Sequence, residues 1–370
     1  MAKISLVLTT INIPTCLEAY LNSIKQYGHK DVGIIVIGDL KTPKGIKEYL
    51  QKIGIGFETE AQITYLGIEE QEEFLKPYPE LARLIPYNST QRRNIGFLKA
   101  MENKSDIIIS IDDDNYPYIS TRNYIKTTDY IKHHSVVGKV RSVVCLESNN
   151  GYVNPCYNLI TSPRRKFYYR GFPLELRTFD NDYKQVGRTG RIVVNSSLWL
   201  GVPDVNTFTL LEESFKVTGV SSPQTFGLGV GNWAPIDSQS TAYHISVFPA
   251  LFLPTMVKGN WRYDDIWMGY IIQKISNKLG DLVTFGKPIV EHRRNLHNLV
   301  RDLENEWPAI FTTPELLRVL RKIDISGTTY YSCYEDICMK FKNELNLNKY
   351  PIFNRLIRGM EAWLEAVKCV

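Results

Sequence analysis

Through its first third the chain alternates short apolar blocks with polar punctuation. Ile4 to Thr10, Val32 to Ile37, Ile63 to Leu66 and Ile107 to Ile111 are blocks of this kind, rich in β-branched residues. An apolar run bounded by polar residues suits a strand covered on both faces, as inside a parallel sheet. Between the blocks, Leu17 to Tyr27 and Gly45 to Ile53 space their apolar residues as helices do, with Pro14 near the start of the first. Strand, helix, strand in this order predicts a right-handed parallel unit. Asn88 to Met101 predicts another helix, capped by Ser89 or Thr90 and carrying Ile95, Leu98 and Met101 on one face. The polar, proline-punctuated stretch Glu69 to Pro86 reads as an excursion over the surface.

The second half is less regular. Phe167 to Arg177, Ile192 to Leu200 and Val283 to Val290 predict further strands, and the glycine- and serine-rich Gly219 to Pro235, which contains Trp233, predicts a surface loop or a loop over a ligand. Asp264 and Asp265 open a helix whose apolar residues include Ile266, Met268 and Ile271. From Leu299 onward the spacing is helical and amphipathic, through Glu315 to Lys322, Tyr334 to Leu345 and Leu356 to Val370. This divides the chain into a main α/β unit, 1–298, and a helical extension, 299–370, that packs on the core or forms an oligomer contact.

The central chemistry lies where Ile107 to Ile111 runs into Asp112, Asp113 and Asp114. The carboxyl end of a parallel strand is a ligand-binding edge. Three adjacent carboxylates repel one another, so a fold that gathers them there calls for a cation. Alternate residues of an extended segment point the same way, which lets Asp112 and Asp114 reach one ion while Asp113 turns elsewhere. Oxygen ligands suit Mg2+ or Mn2+ completed by substrate phosphates; the plainer alternative is a solvated acidic turn. Asp39, at the tip of the second block, stands where a ribose or base is held, or is a turn aspartate. Thr9 and Thr10 end the first block at the same edge. Arg92 and Arg93 open their helix against the macrodipole, which favours a nearby anion such as a diphosphate. Glu291 to Asn295 reads EHRRN, and its arginines, Arg293 among them, are candidates for the same diphosphate.

Bulk properties narrow the classes. The 370 residues are 44% hydrophobic and carry a formal net charge of +5 that is not gathered into one tract, which disfavours nucleic acid. No GxGxxG follows the first block, so a dinucleotide cofactor is poorly supported. Six cysteines show no CxxC pair and read as reduced cytosolic thiols, mostly buried. No window reaches membrane-spanning length, and the N-terminal apolar run is too short for a signal peptide.

Two elements resemble the GT-A glycosyltransferases: Arg93 to Gly96 matches their Arg-x-x-Gly helix, and Asp112 to Asp114 their DxD motif. Four motifs sharpen the resemblance. IDDD at Ile111 to Asp114, RGFPLELR at Arg170 to Arg177, LWLGVPD at Leu198 to Asp204 and RYDDIWMGY at Arg262 to Tyr270 resemble, in order, those of the reversibly glycosylated polypeptides, also called UDP-arabinopyranose mutases. The stretch ISVFPALFLP, Ile245 to Pro254, stands where that family has a cysteine-containing CGMN segment.

The resemblance implies a GT-A, Rossmann-like fold: a mixed, mainly parallel sheet flanked by helices. It implies a nucleoside-diphosphate sugar, probably UDP-linked in that family, with Mn2+ or Mg2+ on Asp112, Asp114 and His292. Thr9, Thr10, Asp39, Arg93, Asp112, Asp113 and Arg293 then form the donor site. Asp265 is the base that activates an acceptor hydroxyl and Asp264 holds the acceptor, roles the two can exchange; helix capping explains the pair equally in structural terms, and His292 is equally read as structural. Arg170 takes the position of the family's self-glycosylated arginine. The leading expectation is a metal-dependent glycosyltransferase acting on a carbohydrate, lipid-linked or protein acceptor. The alternatives are a pyranose/furanose mutase and a self-glycosylated carrier. The expected setting is the cytoplasm, at the periphery of a membrane-associated glycan-assembly complex.

Overall fold

The structure, a computed structural model, describes residues 2–57, 61–120, 125–177, 182–222, 224–255 and 262–370. Its strands are β1 (Ile4–Thr9), β2 (Val32–Ile37), β3 (Gln62–Leu66), β4 (Ile107–Asp112), β5 (Asn115–Tyr116), β6 (Tyr118–Ser120), β7 (Ile125–Thr127), β8 (Val140–Glu147), β9 (Leu159–Ser162), β10 (Lys184–Gly201), β11 (Lys216–Val220), β12 (Phe226–Leu228), β13 (Ser240–His244) and β14 (Leu282–His292). The helices are α1 (Cys16–Tyr27), α2 (Ile46–Gly56), α3 (Ile68–Leu75), α4 (Pro79–Leu84), α5 (Arg93–Glu102), α6 (Tyr130–His134), α7 (Thr207–Glu212), α8 (Asp264–Leu279), α9 (Leu299–Lys322), α10 (Tyr330–Glu344) and α11 (Ile352–Lys368).

The mixed α/β architecture follows from the apolar blocks. β3, β2, β1 and β4 lie side by side in parallel, and β1 is central, with Thr9 opposite both Ile37 and Asp112. That register brings three strand ends to one edge. Antiparallel β13 pairs with β4 and then with β10, which carries the sheet onward through β8, β12 and β14. β14 pairs back with β10, so these last four strands close on one another.

Alternation in the strands feeds a core on each face. Leu6, Leu8, Ile34, Val36, Ile109 and Ile111 pack with α1 and α2, while Val7, Ile35, Ile37 and Ile108 pack with α5 and α8. The second cluster continues without a break into α9, α10 and α11 through Leu316, Phe341 and Trp363. Helix α5 lies close enough to the sheet that a Cβ on Gly96 would stand 2.5 Å from Val7 Cγ1. Among the described residues no helix is long and apolar enough to cross a membrane. The six cysteines are free thiols, all buried except Cys369.

Three expectations are corrected. Glu69 to Pro86 is not a bare excursion: it forms α3 and α4, whose Gln71, Leu75, Leu81 and Leu84 are buried, and Gln71 Nε2 donates to the carbonyls of Gly38 and Leu66. Phe167 to Arg177 is no strand. Its aromatic residues divide between the two cores, Phe167 and Tyr169 in one and Tyr168 against Phe172 in the other, Gly171 takes a positive φ of 79° against Ile266, and Leu174 to Leu176 form one 3-10 turn. Gly219 to Pro235 is a loop that does not stay on the surface: the end of β11 and the three residues of β12 interrupt it, and Trp233 is buried beside Tyr270.

Candidate active site

The strand ends open onto a cleft of about 700 Å³ lined from Thr9 to Asn305. Its floor is the turn after β4. Asp112 accepts from Arg93 Nη2, whose guanidinium is only 3% exposed and also donates to Ser110 Oγ, Thr9 Oγ1 and both oxygens of Ser238. The anion that offsets Arg93 is thus the chain's own carboxylate, and the arginine reaches a ligand through Asp112. Burial and the neighbouring Asp114 and Asp113 push the Asp112 carboxyl upward against the pull of Arg93.

Asp113 does turn elsewhere. It accepts from Thr10 Oγ1 at 2.6 Å, Asn12 Nδ2 at 3.1 Å and Asn295 Nδ2 at 3.0 Å. Asp114 accepts from the Asn295 amide at 3.2 Å and faces His292 Nε2 at 3.4 Å. Burial acts to raise Asp114, but His292 and that amide hold it below the usual carboxylate range. His292 Nδ1 donates to the Val202 carbonyl at 2.7 Å, which fixes the ring and leaves Nε2 toward Asp114. A backbone carbonyl on the far nitrogen is the support that metal-binding histidines carry. Among the described residues no three acidic, histidine or cysteine side chains are gathered closely enough to hold a metal ion by themselves. A cation held by Asp112, Asp114 and His292 therefore needs oxygens from a ligand, as Mg2+ and Mn2+ sites on phosphates do.

At the end of the cleft beyond β2, Asp39 accepts from the amides of Ser89 and Leu40 at 3.1 and 2.7 Å. Thr42 ties this corner to the first strand end by donating to the Thr10 carbonyl at 2.8 Å.

Across the cleft, Arg170 is held on two sides. Its Nε donates to both oxygens of Asp204, at 3.0 and 2.9 Å, and its Nη1 and Nη2 grip Asp265 at 3.0 and 2.8 Å, while Nη1 also donates to the Arg262 carbonyl. Asp265 additionally accepts from the Ser238 amide at 3.1 Å. Asp264 is differently placed. It accepts from Thr90 Oγ1 at 3.2 Å and from the Asp265 amide at 3.0 Å, and among the described residues no arginine donates to it. Burial and the adjacent Asp265 push its carboxyl up to about 7.

Of the residues named from sequence, the cleft gathers Thr9, Thr10, Asp39, Arg93, Asp112, Asp113, Asp114, Arg170, Asp264, Asp265 and His292. Arg293 is the exception. Side chains alternate along this extended segment, so His292 and Arg294 face the cleft and Arg293 turns away, over the Tyr116 ring and toward Glu291. Sequence reasoning passed over Ser238 and Gln239, in a stretch without periodicity; Asn295 and Asp204, although both lie in motifs that were read; and Asp302. Asp302, in the first turn of α9, takes ion pairs from Arg262, Arg294 and His297, and one turn on the fully buried Glu306 accepts from Thr207 N and Oγ1 and pairs with Arg262.

A family model described as "Reversibly glycosylated polypeptide" matches residues 2–370. Over 292 residues the chain is 24% identical to UDP-arabinopyranose mutase 2 of Arabidopsis thaliana, covering 77% of this chain and 74% of that protein. It is 23% identical over 292 residues to the probable UDP-arabinopyranose mutase 2 of Solanum tuberosum, covering 77% and 72%. Among solved structures it resembles glucosyl-3-phosphoglycerate synthase from Mycobacterium tuberculosis over 88% of its own length and 82% of that chain. The identity is 15% and the TM-score 0.42, values too low to decide anything about this chain.

Proposed function

We propose that the chain, which belongs to the reversibly glycosylated polypeptide family, is a metal-dependent glycosyltransferase that takes its sugar from a nucleoside diphosphate, most plausibly uridine diphosphate. One observation carries the reading: a single cleft sets Asp112, Asp114 and His292 against Asp264, Asp265 and Arg170. A mere nucleotide binder needs no second set of acids. Thr10 and Asp39 hold the nucleoside, Asp113 organises the loop around it, and Asp112, Asp114 and His292 hold Mn2+ or Mg2+. When bound there, such an ion would supply charge stabilisation for the departing diphosphate. Arg93 keeps Asp112 oriented for this.

On the acceptor side the roles of the two acids exchange relative to expectation. Asp265 is committed to Arg170, whereas Asp264 accepts no hydrogen bond from an arginine among the described residues and is pushed up to about 7 by burial and Asp265 against the pull of Arg170, close to the value that serves a general base at neutral pH. The acceptor hydroxyl gives its proton to Asp264 as its oxygen bonds the anomeric carbon, and the bond from that carbon to the diphosphate breaks. The reaction inverts configuration. Residues 299–370 act as a helical extension whose first turns complete the cleft. Its buried free thiols suit a cytoplasmic setting, and we assign the protein there, at the edge of a glycan-assembly complex.

A second reading is favoured by the relatives, which are UDP-arabinopyranose mutases: ring-form exchange of a UDP-sugar, with sugar carried transiently on Arg170. Against it, most donors of that guanidinium are already bonded.

A panel of UDP-, GDP- and dTDP-sugars with Mn2+, followed by NMR, tests both. Nucleotide released from one donor class, and lost in Asp112→Ala and Asp264→Ala, supports transfer. Ring-form exchange with the nucleotide still attached, together with a sugar adduct on Arg170 by intact mass, replaces it with the mutase.

A further inference from the structure

Behind the cleft lies an acid that the mechanism above does not use. Asp237 is completely buried, Oδ1 accepts from the Gln239 amide at 3.2 Å, and neither Oδ2 nor the Tyr169 hydroxyl that faces it closes a hydrogen bond of normal geometry among the described residues. Asp204 and Asp265 crowd it, and each of them grips Arg170 through two bonds while Asp237 has none. Three carboxyl groups therefore share one guanidinium. Like charges at such range in a dry site do not all ionise, and a proton taken up by such a group belongs first to the cluster. It settles where the carboxyl has least to lose, and Asp237 is the member without a cation.

We propose that Asp237 is a positioning residue that carries the odd proton of this cluster, and that by staying neutral it leaves Arg170 shared between Asp204 and Asp265. The positioning role rests on the activity proposed above; the proton does not. Burial, then Asp204 and Asp265, push the Asp237 carboxyl up to about 8, against the opposing pull of Tyr169 and Arg170. The other titratable groups that feel it are Cys156 and Tyr169 from the loop before Arg170, Tyr130 of α6 and Tyr243 of β13; burial raises each of them, so none supplies a competing charge near neutral pH. The next residue, Ser238, donates to Asp265 and accepts from Arg93, which holds Asp112. Ionising Asp237 sets a third anion competing for Arg170, and the disturbance reaches both walls of the cleft through Ser238.

The experiment compares the wild type with Asp237→Asn, which is neutral at every pH. A carboxyl whose folded pKa is raised gives stability that is fully present below its unfolded value of about 4 and is lost as pH rises through the folded one. The melting temperature of the wild type should thus fall relative to Asp237→Asn from about pH 5 to about pH 8 and run parallel to it above. Turnover of the donor should decline above about pH 8 in the wild type, with that limb displaced upward by a unit or more in Asp237→Asn. Should Asp237→Asn not fold, Tyr169→Phe removes a hydroxyl that favours the ionised form and must move both transitions upward. A flat difference in melting temperature overturns the proposal whether or not any donor is turned over. A sloping difference with coincident activity limbs leaves the proton in place and overturns the positioning role.

Discussion

Replacing Arg170 with methionine tests the electrostatic design of the acceptor wall. The guanidinium and the side chains of Asp204 and Asp265 are each at least nine-tenths buried. Methionine keeps much of the volume but strips Asp265 of its guanidinium, while Asp204 retains the pull of Arg262 and His292, so one full penalty is counted. Removing one partner of a buried ion pair costs about 3–5 kcal/mol. The same figure follows independently. A stranded carboxyl escapes its charge by taking up a proton, and at about pH 7 that costs an aspartate of ordinary pKa roughly 4 kcal/mol. At about pH 5 it costs only about 1.5 kcal/mol.

The penalty therefore depends on pH. Burial acts to raise Asp204, but Arg170 with Arg262 and His292 holds it below its usual range. A depressed carboxyl gives stability that is present above its unfolded pKa and lost as pH falls. Urea unfolding of wild type and Arg170→Met should accordingly show a gap of about 3–5 kcal/mol near neutrality that closes toward about pH 4. Adding Asp204→Asn and Asp265→Asn should recover most of it. A gap below about 1 kcal/mol, the scale of an exposed pair, or a gap that does not shrink in acid, would refute the argument.

Three further outcomes are expected. Turnover should rise with pH through about 7, because Asp264 must be ionised to act, and Asp264→Asn should lose at least about a hundredfold with no residual limb in the pH profile. Gly96→Ala should be destabilising despite its gain in helix propensity, because overpacking costs about 1–3 kcal/mol against a propensity gain of about 1; its Cβ meets Val7 Cγ1 at 2.5 Å and Ile37 Cγ1 at 3.1 Å, and thermal melting reads the result. Chelation of divalent metal should weaken UDP binding, measured by calorimetry, by at least about tenfold, and Asp112→Asn should leave little for the chelator to remove.

The nucleotide side of the cleft was legible because it is built from local pattern. Ile107 to Ile111 has one reading as a buried strand, and the register that sets Thr9 beside Ile37 and Asp112 follows from parallel pairing of such strands. The acceptor side was only half legible. Arg170, Asp264 and Asp265 stand in motifs, but that Arg170 grips Asp265 across 95 positions is a fact of packing with no periodic trace. Ser238 and Gln239 sit in a stretch whose glycines and serines look like any loop, and Asp302 lies in an ordinary amphipathic helix. Both arginines of the EHRRN stretch were candidates, because composition does not say which of Arg293 and Arg294 an extended segment turns inward. Aromatic enrichment misled at Phe167 to Arg177, where the rings feed both cores from an irregular segment and pair with no neighbouring strand among the described residues.

The reach of the first helix beyond the sheet, α9, into the cleft also sets a timetable. Thr9 leaves the ribosome first among the lining residues and Asn305 last, and at roughly 5–20 residues per second tens of seconds of synthesis separate them. During that interval Arg262 and Thr207 exist without Asp302 and Glu306, and the free side of β4 waits for β13. The part of the cleft built around Arg262 and Asp302 is consequently the last to set. Ribosome-bound chains halted before α9 are the ones that should recruit chaperones most strongly.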